Sequence, residues 1–270
     1  MLDARRRSVL DAMGIDVWCT RGTGEPVSVQ APATSDMGLP VEPARGPRPA
    51  VLDRVEDRAL TPAAEAGADP GMAVGTTTAL GPRVSDLNWE ELRVAVPACT
   101  ACQLHQARTR TVFGVGSESA DLMIVGEAPG AEEDRQGEPF VGRAGQLLNA
   151  MLAAIGLERQ QVYIANIIKC RPPGNRDPHR DEADACRDYL LRQIALIRPR
   201  VLLSVGRISA HNLLGCDDPV GRLRGRTHRF EPGDIPLVVT YHPAYLLRRP
   251  EEKAKAWADL QAVARQLGAA

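Results

Sequence analysis

Apolar residues follow two regimes along this chain. From residue 87 onward, four short runs are apolar at nearly every position: 122–125, 162–168, 201–205 and 237–240. Runs of this length, rich in Val, Ile and Leu, predict strands buried on both faces. Segments 144–155, 180–197, 208–214 and 251–267 instead carry apolar residues at helical spacing. Strand and helix alternate, which predicts an α/β domain with a mostly parallel sheet. Ahead of residue 87 that pattern is lost. Residues 22–82 hold nine Pro and eight Gly, and no aromatic residue occurs between Trp18 and Trp89. Such a stretch has little to anchor a core, and it predicts a disordered linker. In front of it, residues 5–18 have the spacing of a short helix, with Val9, Leu10, Met13 and Ile15 apolar. The expected organisation is a short amphipathic segment at 1–21, a linker at 22–84 and a folded domain at 85–270.

Composition narrows the class. The chain has 270 residues, 44% hydrophobic and 25% charged, with a formal net charge of −1. These values exclude collagen-like, mucin-like and wholly disordered chains. The absence of an uninterrupted apolar stretch of about 18 residues predicts no transmembrane helix. The N-terminus lacks an apolar h-region, so a cytoplasmic, reducing location is expected. Net charge does not mark a nucleic-acid binder, although the chain is acidic in front and mildly basic behind.

Ligands of open α/β sheets bind outside the carboxyl ends of the strands. After the first run comes Gly126-Glu127-Ala128-Pro129-Gly130. The second run contains Asn166 and leads into Lys169-Cys170-Arg171-Pro172-Pro173-Gly174-Asn175. Gly206-Arg207 follows the third, and Tyr241-His242-Pro243-Ala244-Tyr245 follows the fourth. Taken singly, a Gly/Pro turn or a lone His is an ordinary structural feature. Asn166 is different, because an amide inside an apolar run must find partners for its polar atoms. Glu127, Asn166 and His242 converge on one sheet edge, which makes that edge the candidate site.

The cysteines form a second constellation. Cys99 and Cys102 are a C-x2-C pair, and Cys170 and Cys186 follow after 67 and 15 intervening residues. Four thiolates suit zinc or an iron–sulfur cluster, and composition does not choose between them. Cys19 and Cys216 are read as ordinary free thiols.

The strand-end motifs resemble those of the family 4 uracil-DNA glycosylases. The similarity runs through Gly126 to Asp134, then Gly137-Glu138-Pro139-Phe140-Val141-Gly142-Arg143-Ala144-Gly145-Gln146-Leu147-Leu148, then Asn166 with Lys169 to Arg176, and finally His242-Pro243-Ala244-Tyr245-Leu246-Leu247-Arg248. It covers roughly residues 99–267 in the same order. The resemblance implies a three-layer αβα sandwich around a four-stranded parallel sheet. It also implies a [4Fe–4S] cluster on Cys99, Cys102, Cys170 and Cys186.

The resemblance implies a repair enzyme that hydrolyses the N-glycosidic bond of uracil in single- and double-stranded DNA and leaves an abasic site. Such an enzyme must extrude its base into a closed pocket. Phe140 would stack on the uracil, with Glu127, Ala128 and Pro129 lining the pocket. Asn166 both donates and accepts, which matches O4 and N3–H of uracil and opposes cytosine. His242 would donate to O2, where charge grows as the bond breaks. Ala128 stands where better-known uracil glycosylases carry an Asp, and the resemblance points instead to Glu127, Glu133 and Asn175 as pocket or water-organising groups. A non-enzymatic [4Fe–4S] DNA-binding or redox-signalling protein on the same scaffold is the alternative. Basic residues Lys169, Arg171, Arg176, Arg248 and Arg249 are read as the pocket mouth, and Tyr245, Leu246 and Leu247 as a duplex wedge or the start of the last helix. The expected partner is uracil-containing DNA, bound by a monomer and without a membrane, in association with the nucleoid. Residues 1–21 resemble the N-terminal peptide of the psi subunit of the bacterial clamp loader, which implies docking to replication or clamp-loader proteins.

Overall fold

A computed structural model describes residues 83–268. The amphipathic segment, Cys19 and nearly all of the expected linker lie outside the described residues. Helix α1 (Trp89–Ala98) opens the folded part. Its start is fixed by a capping box in which Asn88 Oδ1 accepts the Glu91 N–H and Glu91 Oε2 accepts the Asn88 N–H. Two-residue β1 (Val115–Gly116) and buried β2 (Leu122–Gly126) follow, then α2 (Ala131–Gln136), α3 (Arg143–Ala154) and β3 (Tyr163–Asn166). The second half comprises α4 (Arg180–Ile197), β4 (Val201–Val205), α5 (Arg207–Leu214), α6 (Val220–Leu223), β5 (Thr227–Phe230), β6 (Ile235–Thr240), α7 (Pro243–Arg248) and α8 (Lys253–Leu267).

The strands form one sheet in the order β1-β3-β2-β4-β6-β5. The central β3-β2-β4-β6 set is parallel throughout, which is the expected four-stranded sheet. Two antiparallel edge strands, β1 and β5, extend it to six. The parallel strands are buried along their mutually paired residues because both faces are covered, and successive side chains serve opposite layers. Met123, Val125, Ala165, Leu202 and Val239 join the α4–α5 side, with Leu190 and Ile194. Leu122, Ile124, Ile164, Leu203 and Val238 join the α3–α8 side, with Leu148, Leu152 and Leu260. The result is the three-layer αβα arrangement. A third cluster, Leu87, Leu92, Val96 and Phe113, seats α1, and Trp89 meets Phe113 and Tyr163 edge-on at 5.4 and 5.5 Å. That seating brings the C-terminus of α1, and hence Cys99, beside α4. Among the described residues, no helix is long and apolar enough to cross a membrane.

Candidate functional site

All four parallel strands end at one edge, and the candidate residues gather there. Gly126 closes β2 and pairs in register with Asn166, the last residue of β3. A side chain at Gly126 has no room: its Cβ would press on Asn166 Oδ1 and stand 2.7 Å from the Phe140 ring. Gly126 therefore lets the amide and the aromatic ring meet over bare backbone. Asn166 is 2% exposed, and its Oδ1 has no hydrogen-bond partner. A buried, unpaired acceptor is costly, and its presence beside an aromatic face marks a place prepared for a donor.

Phe140 is held in a left-handed conformation at φ 55°. Two features sustain it. Arg159 donates from Nη2 to Pro139 O at 2.5 Å and from Nη1 to Phe140 O at 3.4 Å. Gly145 of α3 lies so close to the Phe140 carbonyl that any Cβ would collide with it. Glu133 holds the same loop, with its carboxylate accepting the N–H groups of Gly130 at 3.1 Å, Val141 at 3.0 Å and Gly142 at 3.4 Å. The water-organising role expected of Glu133 meets a carboxylate already engaged by three amides. In this structure it braces the aromatic loop.

His242 lies between β6 and α7, and its ring stacks against Phe140 at 5.5 Å with an interplanar angle of 29°. Its Nδ1 accepts the Ala244 N–H at 3.1 Å. In the neutral ring the proton therefore resides on Nε2, which leaves Nε2–H as a donor. Burial pushes the imidazole down to about 4, and the Arg248 guanidinium adds to this. Gly206, at φ 100°, gives the ring room, since a Cβ there would stand 3.1 Å from His242 Cβ.

Glu127 is half-buried beside the same edge. Burial pushes its carboxyl up to about 7, and the neighbouring Asp177 carboxyl, within hydrogen-bonding reach, adds to the rise. Arg207, at the start of α5, opposes it and grips Asp177 at 2.5 Å. Asp177 and Arg159 are not among the sequence candidates, and Arg207 is named there only as a strand-end residue. They act at long sequence separation. Ala128 is half-buried and Pro129 buried in the β2–α2 turn. Asn175 is exposed, with φ 55°, and its Oδ1 accepts Arg171 Nε at 2.7 Å. No hydrogen bond ties it to Phe140, Asn166 or His242.

Several surface expectations are corrected. Lys169 is 1% exposed and does not stand at the pocket mouth. Arg176 is spent on Glu182, with a bidentate pair at 2.6 and 2.8 Å. Arg248 and Arg249 are exposed. Leu246 and Leu247 separate: Leu246 is fully buried in the core, whereas Leu247 reaches 36% exposure on α7.

The cysteine constellation occupies a separate cavity lined by Cys99, Cys102, Cys170, Cys186, Arg108 and Tyr189. Cys99 caps α1, Cys102 precedes the turn Gln103–Gln106, Cys170 follows β3, and Cys186 lies within α4. No group of three His, Cys, Asp or Glu among the described residues is gathered tightly enough for a single metal ion. The donor set suits a larger, sulfur-loving group: four free thiols face one cavity. Arg108 Nη1 donates to Cys170 Sγ at 3.1 Å, and the Lys169 N–H donates to Cys186 Sγ at 3.3 Å. Burial pushes the Cys186 thiol up to about 11. Thiolates in such surroundings require a bound cation to persist. Cys216 is a half-buried free thiol outside this group.

On the carboxyl edge of the parallel sheet, an unpaired amide oxygen, an aromatic ring and a neutral imidazole with a free N–H thus stand together, an arrangement able to stack a planar ring and hydrogen-bond its edge. The family model described as the Uracil DNA glycosylase superfamily matches residues 113–261. Among curated proteins, the chain is 42% identical over 179 residues to the type-4 uracil-DNA glycosylase of Archaeoglobus fulgidus, covering 64% of this chain and 90% of that protein. It is 41% identical over 180 residues to the type-4 enzyme of Pyrobaculum aerophilum, covering 64% and 92%. The similarity to the type-4 enzyme of Thermotoga maritima is 44% over 154 residues, covering 57% and 80%. The chain belongs to the uracil-DNA glycosylase superfamily, in its type-4 family.

Proposed function

We propose that this chain is a DNA-repair N-glycosylase that removes uracil from DNA and leaves an abasic site. The observation that carries this reading is the unpaired Oδ1 of buried Asn166 beside Phe140 and His242. Uracil presents N3–H to that oxygen and O4 to the amide Nδ2, whereas cytosine presents an acceptor at N3. The extruded base stacks on Phe140. His242 donates from Nε2 to O2 as the C1′–N1 bond breaks and the electron pair passes to the uracil ring. Water adds to C1′ and gives up a proton, and the departing uracil anion takes one up. Glu127, supported by Asp177, stands at the edge where that water is organised, and Asn175 lies in the neighbouring loop. Nothing in this scheme favours a non-enzymatic role.

Cys99, Cys102, Cys170 and Cys186 would hold the [4Fe–4S] cluster. The cluster supplies a cross-link between α1, the loop after β3 and α4, with no electron transfer in the hydrolysis. Partly exposed Arg171 and exposed Arg248 and Arg249 are available to phosphates, and Leu247 is available to the duplex. Residues 1–21 are proposed to dock replication proteins, and the enzyme to act as a monomer in the cytoplasm near the nucleoid.

The test is treatment of a uracil-containing oligonucleotide with iron-loaded protein in the absence of magnesium, followed by alkali. Strand cleavage at the uracil position is expected for wild type. An intact strand from cluster-loaded protein would remove the enzyme reading.

A further inference from the structure

Between the base-reading amide and the cysteine cavity lies Lys169. Its Nζ donates to Asn166 O at 3.0 Å and to Gln193 Oε1 at 2.7 Å. Both acceptors are neutral, and Lys169 is only 1% exposed. A buried ammonium without a counter-charge is expensive, so such lysines are paired or functional. The Lys169 main-chain N–H donates to Cys186 Sγ at 3.3 Å, and Lys169 lines the cysteine cavity.

The surrounding backbone is fixed step by step. Ile167 N–H donates to Gly126 O at 3.0 Å, and Ile168 N–H donates to Glu127 O at 3.3 Å. Lys169 O accepts the Val112 N–H at 2.8 Å. Gln193 is fully buried and donates from Nε2 to Phe113 O at 2.8 Å and Tyr163 Oη at 3.2 Å. The ammonium thus closes the turn that starts at Asn166 and ends at Cys170.

We propose that Lys169 is a positioning residue for base recognition: its side chain pins the main chain of Asn166, and its own main chain is tied to the cysteine cavity through the Cys186 sulfur. This rests on the cluster and glycosylase readings above. Asn166 can read uracil only if its amide is held at a fixed depth, because the neighbouring Gly126 backbone leaves it room but no grip. Lys169 supplies the grip through the Asn166 carbonyl. Base recognition and cluster loading are thereby coupled through one residue.

The experiment is a double-mutant cycle on cluster-loaded protein, with Lys169→Met and Asn166→Ala made singly and together. Single-turnover uracil release is expected to fall about tenfold or more for Lys169→Met alone, as for loss of a hydrogen bond involving a charged group. In the Asn166→Ala background the same change is expected to cost less than about twofold. Equal losses in the two backgrounds would show that Lys169 does not act through Asn166 and would overturn the proposal. Iron and acid-labile sulfide per chain provide a second readout. The Lys169→Met protein is expected to lose its visible cluster absorbance to a chelator faster than wild type, and unchanged loss would overturn the link to the cysteine cavity. If Lys169→Met does not fold, Gln193→Met keeps the lysine and removes one of its acceptors. It is expected to give a smaller loss with the same non-additivity, and an additive loss counts against the proposal. Wild-type protein without iron would fail the cluster reading separately, leaving the pin on Asn166 to the cycle.

Discussion

If His242 acts as a neutral donor, its catalysis and its pH dependence are both determined by the two bonds of its ring. Nδ1 accepts from the Ala244 N–H, so only Nε2–H is left to donate. The imidazole falls from an ordinary 6.5 to about 4 through burial. That difference corresponds to roughly 3 kcal/mol against the imidazolium. The free protein therefore carries neutral His242 throughout pH 5–9. Between 4 and 6.5 the unfolded chain binds the extra proton and the folded chain does not. The His242 contribution to stability accordingly rises with pH across that window and is complete above 6.5. His242→Ala removes one donor to the developing charge and is expected to cost about 10²–10³ in rate. His242→Gln, which retains a neutral N–H donor, should recover part of the loss. The assay is single-turnover uracil release from pH 5 to 9 on wild type and both variants, repeated in a Glu127→Gln background to remove the other group titrating in this range. The rate in that background should be flat above pH 6. A rate that drops steadily as pH rises through 6.5 would show that the imidazolium is the working form. A near-wild-type rate for His242→Ala would remove the residue from the chemistry altogether.

Glu127, pushed up to about 7 against an ordinary 4.5, binds a proton in the folded state that the unfolded chain releases across that window, so its contribution to stability is lost as pH rises through about 7. Glu127→Gln should therefore raise the melting temperature at pH 8 relative to wild type and leave it nearly unchanged at pH 4; no gain at pH 8 would place Glu127 outside this environment. Gly126→Ala should leave the fold cooperative but reduce uracil release by about 10²-fold or more, because the new methyl displaces the aromatic or the amide, at a cost comparable to losing a transition-state donor; full activity would show that Phe140 and Asn166 are not jointly required. Cys170→Ser should lower iron content and solubility first, with activity falling in parallel. A soluble, iron-free and fully active variant would contradict the structural role of the cluster.

The strands and long helices were legible because burial on both faces leaves an unbroken apolar signature. The 180–197 segment becomes α4, and 201–205 becomes β4, at the expected bounds. What escaped was short or one-sided. Strand β1 has two residues, and β5 alternates exposed and buried positions because it pairs on one edge only. Helix α2 has no apolar stripe; its first turn is acidic and its capping carboxylate comes from Glu133. At the site, Asn166 betrayed itself as an amide inside an apolar run, and His242 as a strand-end imidazole. Which ring nitrogen donates was not legible, since the Ala244 amide decides it. Lys169 read as surface because lysines are seldom fully buried; its acceptor Gln193 lies 24 positions away on another element. Arg207 and Asp177 meet across 30 positions, a pairing that only the sheet edge creates.

The central claim is that Asn166 and its neighbours select uracil and allow its glycosidic bond to be broken. It is tested most directly by measuring free base released from matched single-stranded oligonucleotides carrying one uracil or one cytosine, with cluster-loaded wild type and Asn166→Ala side by side. Wild type is predicted to release uracil and no cytosine, and Asn166→Ala to lose uracil release by about 10²-fold or more. Wild type that releases no uracil with its iron intact, or Asn166→Ala that releases it at the wild-type rate, would contradict the account.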